Sequence, residues 1–326
     1  MSAPPPSPAA GAAPGAGEVV VVSTGGTIAS TRDERGVSTP SLSGADVLGG
    51  AAAAAGVRVR TVEALRADSS TLTLAQVGAV REACAAALAD PAVRGVVVLH
   101  GTDSMEETAF LLDLHHGDER PVVLTGSQRT ADDPASDAPG NVLAALRAAA
   151  GARSRGRGVL VAFGGRVLPA AGTVKRHTAA LDAFAAPEPA LPRGPVLPWP
   201  AGAPWPRVDV VAVHPGADGA LVDAAVALGA RGVVLQALGA GNAAPDVVGA
   251  VRRATGAGVA VVVTTRVPEG PVSASYGGGG GGHDLAAAGA APAGRLRAGQ
   301  ARVLLAVLLR AGADAGRVAA EFRARG

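Results

Sequence analysis

Lysine is almost missing from this sequence of 326 residues. Of its 29 basic residues, 28 are arginine, and the remaining one is Lys175, in Gly172-Thr173-Val174-Lys175-Arg176-His177. A guanidinium keeps its proton in proteins, whereas a desolvated lysine ammonium can be tuned to act as a base. A chain that replaces lysine elsewhere and keeps it here makes position 175 a candidate for proton transfer. The competing reading is a surface lysine spared by a GC-rich codon bias. Aromatic residues make up only 2% and the net charge is +2, so there is neither a basic stripe nor a stacking platform for nucleic acid. Cys84 is the sole cysteine, which excludes a disulfide within one chain; its place in the apolar run Leu74–Leu88 reads as core packing. No apolar run approaches the roughly 18 residues that a membrane span needs. Residues 1–17, MSAPPPSPAAGAAPGAG, lack a charged start and a continuous apolar stretch. They read as a disordered leader and not as a signal peptide, with cytoplasm as the expected compartment.

Ala, Val and Leu supply most of a 48% hydrophobic content, in a chain long enough for two domains. Short Val-rich runs alternate with longer Ala/Leu-rich ones. Strands are expected at Glu18–Ser23, Val57–Val62, Gly95–His100, Pro121–Thr125 and Gly158–Phe163, then at Arg207–His214, Gly232–Gln236 and Gly258–Thr265. Their continuous apolar character suits strands covered on both faces of a parallel sheet. The amphipathic segments Gly44–Ala55, Thr73–Ala89, Glu106–His116, Gly140–Ala150, Val222–Leu228 and Pro245–Thr255 are expected as helices. This alternation predicts a two-domain α/β fold, with a larger N-terminal, mostly parallel sheet flanked by helices and a smaller C-terminal α/β domain. The proline-dense segment 187–206 reads as a linker or an extended strap, which places the domains at 18–186 and 207–326. The glycine run Gly277–Gly282 is a loop able to approach a ligand closely, or simply a flexible one.

Ligands of open α/β sheets sit beyond the carboxyl ends of the strands, so the residues just after each strand carry the functional signal. After the first comes Thr24-Gly25-Gly26-Thr27-Ile28-Ala29, a glycine turn flanked by two threonine hydroxyls; it also suits an ordinary βα turn with Thr27 as a cap. After the third comes His100-Gly101-Thr102-Asp103-Ser104-Met105-Glu106-Glu107-Thr108. Ser104 or Thr102 as N-cap, with Glu106 and Glu107 in the first helical turn, accounts for part of it. Capping does not account for Asp103 beside Thr102, nor for a second polar glycine turn at an equivalent position.

In order and spacing, these two segments resemble the bacterial-type L-asparaginase/glutaminase family: its threonine-containing glycine turn and its His-Gly-Thr-Asp signature. Further similarity lies in Leu124-Thr125-Gly126-Ser127-Gln128-Arg129, Ser136-Asp137-Ala138-Pro139-Gly140-Asn141, Gly239-Ala240-Gly241-Asn242, Arg266-Val267-Pro268 and Gln300-Ala301-Arg302-Val303-Leu304-Leu305, and the likeness covers roughly residues 18–326. The resemblance implies a threonine amidohydrolase without metal or organic cofactor, acting on L-asparagine. It implies Thr27 as nucleophile and Thr102, Asp103 and Lys175 as a proton-relay group; which threonine attacks first stays open. A threonine hydroxyl is a weak nucleophile and needs a neighbouring base, which a lysine can supply. The resemblance further implies that Ser69 and Ser70, in Asp68-Ser69-Ser70, hold the substrate α-carboxylate and that Asp103 takes the α-ammonium. Ser69 also suits a cap for the helix near Thr73. Asn242 matches a residue that completes the site across a dimer interface, which implies a homodimer or homotetramer.

The chain departs from that pattern at the lid after the glycine turn, Arg32-Asp33-Glu34-Arg35-Gly36-Val37-Ser38-Thr39-Pro40, where Ser38 aligns with the family's tyrosine. The only tyrosine, Tyr276, precedes the glycine run; it either reaches a neighbouring subunit's site or packs. Gln300 stands where the family usually has lysine and reads as structural. Two alternatives accompany the asparaginase reading: a glutaminase-asparaginase of broader specificity, since one methylene is worth only about 1–3 kcal/mol of discrimination, and a non-catalytic amino-acid-binding protein on the same fold. A tRNA-dependent transamidation subunit would want an additional tRNA-binding domain.

Overall fold

The structure is a computed structural model that describes residues 17–326 apart from Gly36, Glu188 and Pro189, and leaves the side chains of Ser38 and Pro40 undescribed. The expected leader therefore lies outside the described residues except for Gly17. In chain order the first half comprises β1 (Glu18–Ser23), β2 (Ser30–Arg32), β3 (Ser38–Pro40), α1 (Gly44–Leu48), α2 (Ala51–Ala55), β4 (Arg58–Glu63), α3 (Leu74–Leu88), β5 (Val93–Leu99), α4 (Met105–Leu114), β6 (Val122–Thr125), α5 (Ala138–Ala150), β7 (Val159–Phe163), β8 (Arg166–Pro169), β9 (Val174–Lys175) and β10 (Phe184–Ala185). The second half has β11 (Val208–Ala212), α6 (Ala220–Ala227), β12 (Gly232–Ala237), α7 (Pro245–Gly256), β13 (Ala260–Thr265), α8 (Gly282–Ala287), β14 (Ala291–Pro292), α9 (Ala298–Arg310) and α10 (Ala315–Arg325).

Six strands form one sheet in the order β4-β1-β5-β6-β7-β8, parallel except for the β7–β8 hairpin, and β11-β12-β13-β14 form a second, all-parallel sheet. The fold is thus two-sheet α/β, as the alternation predicted. β1, β5, β6 and β7 are buried along almost their whole length, which is why they read as unbroken Val/Leu runs. Two strands differ from expectation. β4 (RVRTVE) and β11 lie at sheet edges and mix exposed with partly covered positions, as strands with one unpaired edge do. The expected helix Gly44–Ala55 is two short helices broken at Gly49, which has φ 44°. The others fall where expected within a few residues.

One apolar core runs from the inner face of the first sheet through α4 and α9 to the second, joining Val98, Phe110 and Leu111 to Leu304, Leu305 and Val234. Helix α9 is apolar over its central turns and buried on all sides there, packing on α4 and on β11, β12 and β13. The proline-dense segment is a strap. Leu191 and Leu197 sink into that core, Leu197 N–H donates to Leu114 O (2.7 Å), and Arg193 pairs with buried Asp113 at 2.9 Å. Cys84 is buried in α3, and burial pushes its thiol up to about 12, so it packs and does not react.

Candidate active site

The order β4-β1-β5 sets the location. From β1 the chain crosses to β4 on one side, then to β5 on the other, so the loops leaving β1 and β5 diverge and open a crevice at their carboxyl ends. Thr27 follows β1, Ser69 follows β4 and Thr102 follows β5.

Glycines let these loops interlock. Gly25 and Gly26 have φ of 92° and 88°, a region that L side chains rarely adopt. A Cβ on Gly25 would lie 2.8 Å from Ala67 O, one on Gly26 would lie 2.5 Å from Gly101 Cα, and one on Gly101 would lie 2.6 Å from Ser69 Oγ. The three turns therefore touch at positions where no side chain fits. Thr24 is not at the surface: its hydroxyl donates to Leu99 O (2.8 Å) and staples β1 to β5. Thr27 heads a single 3-10 turn, Thr27–Ala29, and is half-buried, whereas Ile28 and Ala29 are buried.

Ser69 accepts from Asp103 N–H (3.2 Å), and its own carbonyl accepts from the Ser104 hydroxyl (2.6 Å). Ser69 is not the cap of α3: Thr73 caps that helix with Gln76 in a reciprocal capping box. Ser104 is the N-cap residue of α4 without a capping side-chain bond, its hydroxyl bonding to Ser69 instead. Ser70 sits beside Ser69 in the same turn and is exposed.

Lys175 arrives from elsewhere in the fold. The β7–β8 hairpin turns at Gly164 and Gly165, and β9 then brings the lysine back to the crevice, pairing it with Phe184 of β10. Its Nζ donates to Thr102 Oγ1 and to Asp103 Oδ1, each at 2.8 Å. Thr102 is buried, the lysine mostly covered and Asp103 largely exposed, which leaves the carboxylate open toward solvent. Thr102, Asp103 and Lys175 thus form one hydrogen-bonded group although 73 residues separate Thr102 from Lys175.

Three further residues brace this group. Glu106 Oε2 accepts the Lys175 backbone N–H at 2.5 Å. Burial, and then the neighbouring Glu107 charge, push the Glu106 carboxyl up to about 7, against the opposing pull of Lys175. Glu107 is also raised by burial. His100 is fully buried and its Nδ1 donates to Gly101 O (2.6 Å); burial lowers its pKa to about 4, so it is a neutral brace for the Gly101 peptide. Gln300 of α9 is buried and bonds the turn before Lys175. The two glutamates had read as ordinary helix-start acids. Their excess over what one capping position needs was the available signal; His100 and Gln300 gave none beyond their place in the motifs.

Two of the expected residues are elsewhere. Asn242 Oδ1 accepts from Gly282 N–H (3.2 Å), bracing the glycine run, and Tyr276 is 61% exposed in the C-terminal half. Within one chain their bonds run to that loop and not to the threonine group. The segment expected as a lid is a hairpin of β2 and β3, pairing Arg32 with Ser38; the Ser38 side chain lies outside the described residues. Ala131 N–H donates to Ser30 O (3.0 Å) and Arg32 N–H to Asp132 Oδ2 (3.1 Å), tying the lid base to the loop after β6. Among the described residues, no group of three or more His, Cys, Asp or Glu side chains is arranged to hold a metal ion.

Residues 18–193 match the family model "Asparaginase, N-terminal", and residues 207–322 match "Glutaminase/Asparaginase C-terminal domain". The chain belongs to the asparaginase family. An L-asparaginase of Bacillus licheniformis is 32% identical over 309 residues, covering 90% of this chain and 95% of that relative. A protein of Deinococcus radiodurans named "Probable L-asparaginase" is 39% identical over 235 residues, 67% of this chain and 72% of the relative. The crystal structure of a "Probable Cytoplasmic L-asparaginase" from Campylobacter jejuni superposes with a TM-score of 0.81 at 24% identity, covering 94% of this chain and 99% of that one, and so shares the fold. Family membership joins both sheets to one lineage of proteins and gives the threonine crevice a chemical context.

Proposed function

We propose that the chain hydrolyses L-asparagine to L-aspartate and ammonia through an acyl-enzyme on Thr27. The Thr102–Lys175–Asp103 group carries the reading: a lysine ammonium within hydrogen-bond reach of both a buried hydroxyl and a carboxylate is equipped to move protons. Relatives named L-asparaginase support the substrate.

Thr27 Oγ1 forms a bond to the side-chain amide carbon while its proton passes to the relay. The C–N bond then breaks, and the nitrogen leaves as ammonia with a proton returned from the relay. Water attacks the resulting ester, giving one proton through the relay to Thr27 Oγ1 as the bond to Thr27 breaks, and L-aspartate is released with the hydroxyl restored. Backbone N–H groups of the Gly25–Thr27 and Gly101–Thr102 turns are the donors proposed for the oxyanion. Ser69 and Ser70 are proposed to hold the α-carboxylate and Asp103 the α-ammonium. Asn242, and Tyr276 in place of the lid tyrosine, are proposed to act from a neighbouring subunit, which makes the working form a homodimer or homotetramer. The division into domains 18–186 and 207–326, supported by their separate sheets, belongs to the same reading. So does cytoplasmic residence, in keeping with a single buried cysteine.

The C-terminal family model, named for both glutaminase and asparaginase, keeps broader specificity as a second reading. Purified protein should release ammonia from L-asparagine with kcat/KM at least about 10-fold above that for L-glutamine, a gap within reach of one methylene. Comparable values favour the broader enzyme, and no release from either amide overturns the proposal. Peptide mapping of a trapped acyl-enzyme should find the adduct on Thr27. Light scattering tests the oligomer, and cell fractionation tests the compartment.

A further inference from the structure

Lys175 lies on a two-residue strand, too short a ladder to fix the height of its side chain in the crevice. Something else must hold it. Gln300, on α9 of the C-terminal half, is 1% exposed and bonds both this turn and the start of α4. Its Oε1 accepts from Gly172 N–H at 2.8 Å. Its Nε2 faces three carbonyls: Ala170 at 2.9 Å, Thr173 at 3.0 Å and Glu106 at 3.2 Å. Three acceptors on one side and an N–H on the other leave a single orientation for the amide, with two hydrogens shared among three carbonyls. Two of these partners flank the lysine. Thr173 precedes it by two residues, and Glu106 bonds its backbone N–H. Helix α9 is seated tightly here, since a Cβ on Gly299 would lie 2.4 Å from Glu107 Oε1.

We infer that Gln300 is a positioning residue for Lys175: its amide locks the 170–173 turn to the start of α4 and so sets Nζ between Thr102 and Asp103. The inference rests on the proposed relay role of Lys175. It gives the C-terminal half a part in the chemistry within one chain. Ala170 O also accepts from Thr173 N–H (3.3 Å), and Glu106 O lies within α4. An apolar side chain therefore takes the partner from the Thr173 carbonyl and the Gly172 N–H, at about 1–3 kcal/mol each, and forces the turn to rearrange. A lysine at 300 offers three donors to the same three carbonyls; it gives up the bond from Gly172 and brings in a buried charge that those carbonyls must solvate.

The test measures kcat, KM and the pH profile on L-asparagine for Gln300→Met and Gln300→Lys, alone and with Lys175→Met. Gln300→Met should lower kcat about 10–100-fold through misplacement of the relay, leave KM within about 3-fold and displace the pH profile of kcat. Gln300→Lys should stay within about 3-fold of the parent, and Gln300→Met should add no loss to Lys175→Met. Should Gln300→Met fail to fold, Gln300→Glu, which keeps size and acceptor but lacks the donors, takes its place. Parental kcat and profile in the donor-lacking variant, equal impairment by lysine, or an additive loss in the double variant overturns the inference alone. Parental turnover in Lys175→Met overturns the relay reading and this inference with it.

Discussion

Gly26 and Gly101 meet backbone to backbone, with no space for a methyl group between them: a Cβ on Gly26 would lie 2.5 Å from both Cα and N of Gly101. That contact sets the turn bearing Thr27 against the turn bearing Thr102. Gly26→Ala combines this overlap with a strained φ of 88°. It should cost about 1–3 kcal/mol in urea unfolding and at least about 100-fold in kcat/KM through displaced reacting groups. Gly140→Ala is the control, at an exposed helical glycine where an added Cβ meets nothing within 4 Å. It should be neutral or stabilise by up to about 1 kcal/mol. Equal effects of the two would show that the turns do not depend on each other.

Lys175→Arg preserves the charge beside Asp103 but not the ability to give up a proton. Turnover of L-asparagine should fall by about 10²–10⁴-fold, while the urea midpoint stays near that of the parent. Activity close to the parent's would mean that position 175 serves by charge alone.

The strands with two covered faces were legible because burial on both sides demands unbroken apolar runs, as in Val19–Val22 and Val96–Leu99. The threonine turns were legible because glycine and hydroxyl residues stood together at strand ends. The grouping of Lys175 with Thr102 came only by family likeness, since β9 and β10 are too short to carry a periodicity and 73 residues separate the partners. Helix α9 was not expected at all. Its central turns, Val303 to Leu308, are buried all round and hold no polar residue to mark a helical repeat. Glu106 looked like a helix-start acid, and sequence order could not reveal the strand that covers it. The arginines of Arg58-Val59-Arg60 suit the sheet edge where the strand lies, yet the run was expected as a strand covered on both faces.

One indole adds to the anchors of the strap. The Trp199 ring has the guanidinium carbons of Arg81 and Arg310 at 4.9 and 5.0 Å from its centre, meets His115 edge-on at 4.9 Å and lies 6.1 Å from the Trp205 ring, centre to centre. It thereby pins segment 187–206 to α3 on one side and α9 on the other. Trp199→Ala should destabilise the protein by about 2–4 kcal/mol and open the strap to limited proteolysis, with Trp199→Phe between. Unchanged stability and protease resistance would show that the other contacts of the strap suffice.

Stability should respond to pH through two opposed sets of buried groups. Glu106 titrates near 7 in the folded protein against an ordinary 4.5, so between these values the folded state holds a proton that the unfolded chain has lost. Its ionisation costs stability as pH rises through that window. His100 and His115, both lowered from 6.5 to about 4 by burial, act in the other direction: the unfolded chain takes up protons first, and stability falls as pH drops from about 6.5 to 4. Glu106→Gln removes the first contribution while keeping an oxygen to accept the Lys175 N–H. It should gain about 1–3 kcal/mol over the parent at pH 8, and the gain should fade as pH falls toward 4.5. Urea unfolding of both proteins at pH 5 and pH 8 decides the matter. A gain that is as large at pH 5, or absent at pH 8, would assign the carboxyl titration to another group.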